Sequence, residues 1–201
     1  MKLDPFYLIV GDVALLRRLL PCGVRLVQLR LKDLPEPELR RQIAQAKEIT
    51  ARHGAQLVIN DHWQLARDLG CDAVHLGQED MDTADLKALR RAGIAYGLST
   101  HDAAELDRAL AQDPAYVALG PVWETLLKKM KSGPQGLERV TEWKRRAGRV
   151  PLVGIGGITP ERLPALFAAG ADSAAVVSDI AQAADPQTRC AQWIAATEHR
   201  R

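Results

Sequence analysis

The chain has 201 residues, 47% hydrophobic and 26% charged, which are ordinary globular proportions in a length suited to one domain. Those proportions exclude collagen, disordered tails and mucin-like stalks. Lys and Arg number 27 against 25 Asp and Glu, a formal charge of +2, too balanced for a nucleic-acid binder driven by phosphate contacts.

Three cysteines, Cys22, Cys71 and Cys190, are widely spaced and odd in number. They suit neither a disulfide framework nor a zinc site, and they fit a reducing, cytoplasmic setting. The longest apolar runs, such as 6–10, are strand-sized and far short of the roughly 20 residues a membrane span needs. No hydrophobic signal region follows Lys2. The expectation is a soluble cytoplasmic protein with no membrane or nucleic-acid partner.

Along the chain, short apolar runs alternate with longer amphipathic ones. Strands are predicted at 6–10, 25–30, 56–59, 73–76, 95–98, 116–119, 151–155 and 173–177. A helix is predicted over 38–53, where Leu39, Ile43, Ala46 and Ile49 recur at helical spacing. Gly70 and Gly170 read as helix C-caps, and Thr159-Pro160 as an N-cap followed by proline at the first helical position. The count is eight strand–helix units of about 25 residues, which suggests a small (β/α)8 TIM barrel. A doubly wound open sheet is the competitor, since alternation alone does not show closure. One compact domain is expected over 1–201, with a mobile loop at about 121–136 containing Lys128, Lys129 and Lys131.

In either architecture the site collects at the carboxyl ends of the strands. The second strand ends in Gln28-Leu29-Arg30-Leu31-Lys32, whose alternation sends Gln28, Arg30 and Lys32 to one face and the leucines to the other. Two cations on an inner face point to an anion site; a strand end fraying into solvent is the plainer reading. The third strand runs into Asn60-Asp61 and the fourth into Gly77-Gln78-Glu79-Asp80. Neighbouring strands lie about 4.8 Å apart, so Asp61 and Asp80 can approach one Mg2+ that keeps open positions for phosphate oxygens. Alternatively, each aspartate caps the following helix.

Ser99 either bonds a substrate or caps its helix. Gly156-Gly157 after the seventh strand and Val177-Ser178 after the eighth fit a phosphate, because glycines let backbone N–H groups approach an anion closely. The mouth thus reads as two anion-binding ends, one metal-assisted and suited to a diphosphate, the other glycine-based and suited to a monophosphate. His75 reads as a packed side chain rather than a base. The basic stretch Lys144-Arg145-Arg146 reads as a solvated helix face, and Arg200-Arg201 as a frayed end.

These same residues carry a family resemblance. Gln28-Leu29-Arg30-Leu31-Lys32, Val58-Ile59-Asn60-Asp61, His75-Leu76-Gly77-Gln78-Glu79-Asp80, Gly97-Leu98-Ser99-Thr100-His101 and Tyr116-Val117-Ala118-Leu119-Gly120 resemble thiamin phosphate synthases. So do Pro134-Gln135-Gly136-Leu137, Gly154-Ile155-Gly156-Gly157-Ile158 and Val176-Val177-Ser178, in the family's order over about 7–184. The resemblance implies a (β/α)8 transferase that couples 4-amino-2-methyl-5-hydroxymethylpyrimidine diphosphate (hydroxymethylpyrimidine diphosphate below) to hydroxyethylthiazole phosphate, releasing pyrophosphate by a dissociative route. It implies that Gln28, Arg30, Lys32, Asn60, Ser99 and Lys128 hold the pyrimidine diphosphate and that Asp61 and Asp80 bind Mg2+. It further implies that the stretch from Thr125, the Gly156-Gly157 turn and Val177-Ser178 hold the thiazole phosphate. Arg30, Lys32, Ser99 and Lys128 would be the catalytic groups.

A thiazole tautomerase on this scaffold is an alternative that needs no metal–diphosphate end. A non-catalytic phosphate-ligand binder is another. Assembly into homo-oligomers, common among small barrels, is left open by the sequence.

One stretch departs from the family, whose loop runs proline, threonine, any residue, threonine, lysine. Here Glu124-Thr125-Leu126-Leu127-Lys128 puts leucine at the second threonine. Loss of one neutral hydrogen bond is worth about 0.5–1.5 kcal/mol. Leu127→Thr is therefore expected to lower KM for the thiazole phosphate severalfold in steady-state assays. An unchanged KM would remove Leu127 from the thiazole side.

Overall fold

The computed structural model describes residues 1–124 and 133–201. Eight strands follow in chain order: β1 Phe6–Val10, β2 Leu26–Leu29, β3 Gln56–Asn60, β4 Ala73–Leu76, β5 Ala95–Thr100, β6 Tyr116–Leu119, β7 Leu152–Ile155 and β8 Ser173–Val176. Every strand pairs in parallel with the next, and β1 pairs with β8 as well, Phe6 opposite Ala174 and Leu8 opposite Val176. The sheet is a closed barrel, so the open-sheet alternative falls.

Around it lie α1 Val13–Leu19, α2 Glu36–Arg52, α3 Trp63–Asp68, α4 Gln78–Thr83, α5 Leu86–Arg91, α6 Ala103–Leu110, α7 Gly136–Ala147, α8 Leu163–Ala168, α9 Ser178–Ala181 and α10 Pro186–Thr197. Two strands, β4 and β8, are thus followed by a pair of helices rather than one. The start of α2 lies two residues before the predicted one, because Glu36 and Glu38 in its first turn favour the helix dipole there. Its spaced Leu39, Ile43, Ala46 and Ile49 are all buried. Gly70 and Gly170 take positive φ just past their helices, as C-caps do. No helix among the described residues is long and apolar enough to cross a membrane.

Strand alternation divides the core into two layers. Outward-facing residues such as Phe6, Leu8, Val27, Leu29, Val74 and Leu98 pack with the helices in the main cluster. Inward-facing Tyr7, Ile9, Leu26, Val58, Ala73, Tyr116, Ala118, Val153 and Ala175 fill the barrel. Two fully buried indoles, of the four tryptophans, anchor the outer layer. Trp143 of α7 is fully buried and its Nε1–H donates to Thr100 Oγ1 at 2.8 Å, while Trp193 of α10 stacks on Phe6.

Half of the segment expected to form a loop, 125–132, lies outside the described residues, and with it Lys128, Lys129 and Lys131. Its described flanks are held by backbone bonds. Val122 N–H donates to Ile155 O at 2.8 Å, Trp123 N–H to Gly156 O at 3.0 Å, and Gln135 N–H to Pro121 O at 2.8 Å.

Two basic stretches differ from expectation. Rather than standing in solvent, Lys144 pairs with Asp172 at 2.7 Å, and Arg146 pairs with Asp107 at 2.6 Å while lying over the Trp143 ring. At the chain end, the Arg201 side chain is 4% exposed and ion-paired with Asp4 at 3.4 Å, and Arg200 covers the Phe167 ring. These pairings are not legible in composition, because Lys144, Arg146 and Arg201 meet carboxylates far away in sequence, whereas Arg145 and Arg200 stay exposed as expected.

Trp143→Ala would leave a void and remove the indole N–H that Thr100 Oγ1 accepts, while the Thr100 hydroxyl keeps its own bond to Ala118 O at 3.0 Å. Urea unfolding is expected to show a loss of about 3–5 kcal/mol. A loss under ~1 kcal/mol would mean that α7 is not held by this indole.

Candidate active site

At the carboxyl rim, β2 delivers Gln28 into the barrel, buried, while Leu29 and Leu31 turn outward into the helix layer. This alternation is as the sequence implies. Arg30 and Lys32, however, stand exposed above the strand end rather than on the buried inner face. The strand ends at Leu29; Arg30 N–H still donates to Val10 O at 2.9 Å, but the Arg30 and Lys32 side chains stand exposed at the strand end. They are rim cations. Arg30 has no ion-pair partner among the described residues, whereas Lys32 Nζ meets Asp61 Oδ2 at 2.5 Å.

Asp61 follows β3 directly and sits at φ 63°, in the left-handed region that aspartate tolerates better than most residues. Its backbone N–H donates to His75 O at 2.9 Å, which ties the turn to β4. Neither aspartate is a helix cap, since His62 and Gly77 occupy those positions without side-chain capping bonds. Instead the two carboxyls face each other. Burial, then the charge of Asp61 and a hydrogen bond with it, hold Asp80 above the ordinary carboxylate range, with Lys32 opposing. Asn60, buried at the end of β3, lies in register with His75.

The donor set at this end is two adjacent carboxylates without histidine or cysteine. Among the described residues no group of three or more His, Cys, Asp or Glu side chains surrounds one point. Such a pair is poor for zinc, which takes three or four protein ligands. It suits Mg2+, which keeps waters and accepts phosphate oxygens alongside one or two carboxylates.

The other half of the rim holds a cavity of about 440 Å³. Ser99, His101, Glu124, Gly156, Gly157, Arg162, Val177 and Ser178 are among its lining residues. Of the candidates assigned to the diphosphate end, Ser99 alone reaches it among the described residues. Ser99 does not cap a helix, because Asp102 caps α6; its Oγ pairs with His75 Nε2 at 2.8 Å. Gly156 and Gly157 both have positive φ. A methyl group on Gly157 would overlap the Glu124 carbonyl oxygen and Trp123 Cβ, so glycine is required for the 121–124 backbone to lie against this turn. Thr125, Leu127 and Lys128 lie outside the described residues.

Several groups here were not singled out from sequence. Arg162 donates to the Gly157 carbonyl and lies 5.3 Å from the centre of the Trp123 ring, a cation on the lip of the cavity. Its signal was weak, an arginine in a short 3-10 turn after Thr159-Pro160. Asp179 also lines the cavity, but Arg189 grips both its oxygens at 2.8 and 3.0 Å and Trp193 Nε1–H donates to it at 2.7 Å. Its charge is thereby neutralised. Glu124 lines the cavity with no such partner among the described residues. Inside the barrel, Tyr7, Tyr116 and His75 form a buried polar group; burial pushes both phenols up and holds the His75 imidazole down to about 4.

A closed parallel barrel whose polar groups gather at the carboxyl rim defines the class, a (β/α)8-barrel enzyme. Residues 6–180 match the thiamine monophosphate synthase family. A thiamine-phosphate synthase from Rhizobium etli is 60% identical over 197 residues, 98% of this chain and 97% of the relative. Another from Enterobacter sp. strain 638 is 49% identical over 188 residues, 94% of this chain and 89% of its own length. In fold, the chain is similar to thiamine phosphate pyrophosphorylase from Pyrococcus furiosus, with a TM-score of 0.85 and 24% identity over 97% and 96% of the two chains. The chain belongs to the thiamine monophosphate synthase family.

The raised pKa of Asp80 fixes the sign of a stability effect. A carboxyl that binds its proton more readily when folded favours folding at low pH and opposes it once pH passes through the folded value. In metal-free protein at pH 7, Asp80→Asn is expected to raise Tm. The difference should shrink as pH falls below the carboxylate range. A lower Tm for the variant at pH 7 would show that Asp80 is not held against repulsion.

Proposed function

We propose that the protein is a thiamine-phosphate synthase that joins hydroxymethylpyrimidine diphosphate to hydroxyethylthiazole phosphate. The observation that carries this reading is the facing pair Asp61 and Asp80 beside Lys32, on the same rim as the glycine-lined cavity. One end suits a diphosphate with a divalent cation, and the other suits a phosphate monoester. The intact carboxylate end also counts against a tautomerase, which has no diphosphate to hold.

Asp61 and Asp80 would hold Mg2+, which when bound supplies positive charge to the diphosphate. Arg30, Lys32 and Lys128 would add positive charge where negative charge grows as the carbon–oxygen bond breaks. The bonding pair leaves with pyrophosphate, and the pyrimidine-methyl cation is captured by the thiazole nitrogen. Gln28 and Asn60 hold the pyrimidine, and Ser99 hydrogen-bonds the same substrate. Backbone groups of Gly156, Gly157, Val177 and Ser178, with Thr125, hold the thiazole phosphate. No proton transfer to a protein base is needed. We place the reaction in the cytoplasm, supported by the three unpaired thiols.

Purified protein given both substrates and Mg2+ is expected to release pyrophosphate in step with thiamin phosphate. Omitting either substrate, or chelating the metal, should abolish release. Tight binding of both ligands in calorimetry with no turnover would instead mark a non-catalytic binder.

A further inference from the structure

Four hydrogen bonds cross the barrel interior in series. Gln28 Nε2 meets Tyr7 Oη at 2.9 Å, and Tyr7 Oη meets Tyr116 Oη at 2.9 Å. Tyr116 Oη then meets His75 Nδ1 at 2.9 Å, and His75 Nε2 meets Ser99 Oγ at 2.8 Å. The three middle residues come from β1, β6 and β4, so no local turn gathers them. All three are buried, in an interior that such barrels ordinarily fill with branched apolar side chains.

The barrel is shaped around them. Gly97 lies opposite Tyr116 in the sheet register, and a methyl group at Gly97 would overlap the Tyr116 ring. Tyr116 in turn stacks on His75, with ring centroids 5.6 Å apart.

Such a chain has two proton orders. Each phenol carries one proton, and so does a neutral imidazole, so the first donor determines all the rest. His75 is neutral here, because no carboxylate pairs with it among the described residues and an unpaired buried charge is costly. The Gln28 amide N–H donates to Tyr7. Tyr7 must then donate to Tyr116, Tyr116 to His75 Nδ1, and the His75 Nε2–H to Ser99 Oγ. Gln28 Oε1 is left free as an acceptor, and the Ser99 hydroxyl proton is left to point into the mouth. The reverse order would present a lone pair of Ser99 there instead.

We propose that Tyr7, Tyr116 and His75 are positioning residues that set Gln28 as acceptor and Ser99 as donor toward the substrate. The proposal rests on reading this end as the pyrimidine diphosphate site. Its polarity fits that ligand, since an exocyclic amine needs an acceptor and a diphosphate oxygen needs a donor. Selectivity for an aminopyrimidine thus depends on three side chains inside the barrel that link Gln28 to Ser99 without touching the ligand.

Nitrogen-15 NMR of the His75 side chain in ligand-free protein tests the proton order directly. The expected result is one tautomer, protonated at Nε2 and bare at Nδ1; the opposite tautomer would overturn the proposal. Tyr7→Phe removes a hydroxyl two hydrogen bonds away from His75. It should bring in the second tautomer and raise KM for the pyrimidine diphosphate about three- to tenfold, leaving KM for the thiazole phosphate unchanged. A folded Tyr7→Phe protein with a single tautomer and parental KM values would refute the relay. If that variant does not fold, Tyr116→Phe, which keeps the ring over Gly97, is read in the same way. Wild-type protein that turns over no pyrimidine diphosphate would sink the functional reading, while the tautomer would still decide the proton order.

Discussion

The pairing of β1 with β8 turns a parallel sheet into a cylinder, and a cylinder of parallel strands has one carboxyl rim. Groups separated by as much as 150 residues of sequence, from Gln28 to Ser178, therefore come to a single opening. Period-two alternation then sorts each strand end. On β2 it buries Leu29 and Leu31 under helices and leaves Gln28 inside, so packing and site are set by the same geometry. A one-residue slip in register would exchange the two sets and lose both at once.

The frame also holds arrangements that a looser chain would relax. Asp61 keeps a left-handed backbone, of the kind that costs on the order of 1–3 kcal/mol for a non-glycine residue, and its carboxyl stays beside that of Asp80. What opposes relaxation is the backbone bond from Asp61 to His75, which ties the turn to β4 within the packed barrel. Asp61 thus joins the paired carboxylates at the rim to the buried polar chain through one backbone hydrogen bond.

The barrel was legible because each strand is a short apolar run bounded by turn residues, and all eight predicted strands overlap observed ones within two residues at either end. Also legible was the side-by-side placement of Asp61 and Asp80, which follows from β3 and β4 being neighbours. Three kinds of feature were not. The inward cluster of Tyr7, Tyr116 and His75 looks like ordinary strand packing, since tyrosine and histidine fit pleated surfaces and their partners are 41 to 109 residues away. The exposure of Arg30 depended on where β2 stops pairing, a boundary that periodicity locates only within a residue or two. The neutralisation of Asp179 by Arg189 and Trp193 depends on how α10 docks, which no local pattern encodes.

That exposure of Arg30 and Lys32 has a consequence for the proposed reaction. Cations buried in a low-dielectric interior would bind a diphosphate strongly before and after bond cleavage, and so hold the product as firmly as the substrate. At a solvated rim their field is weakened by water and salt, so most of the attraction must come from groups that converge on the ligand when it is seated. Lys32 is already shared with Asp61, which lowers its net pull on an incoming anion. Among the described residues the opposite end has no free cation deep in the cavity: glycine backbone lines it, Arg162 stays on the lip, and Asp179 is held by Arg189. In the proposed reaction, a site built in this way would hold two anions in alignment while the rim cations around the more highly charged fragment stay open to water.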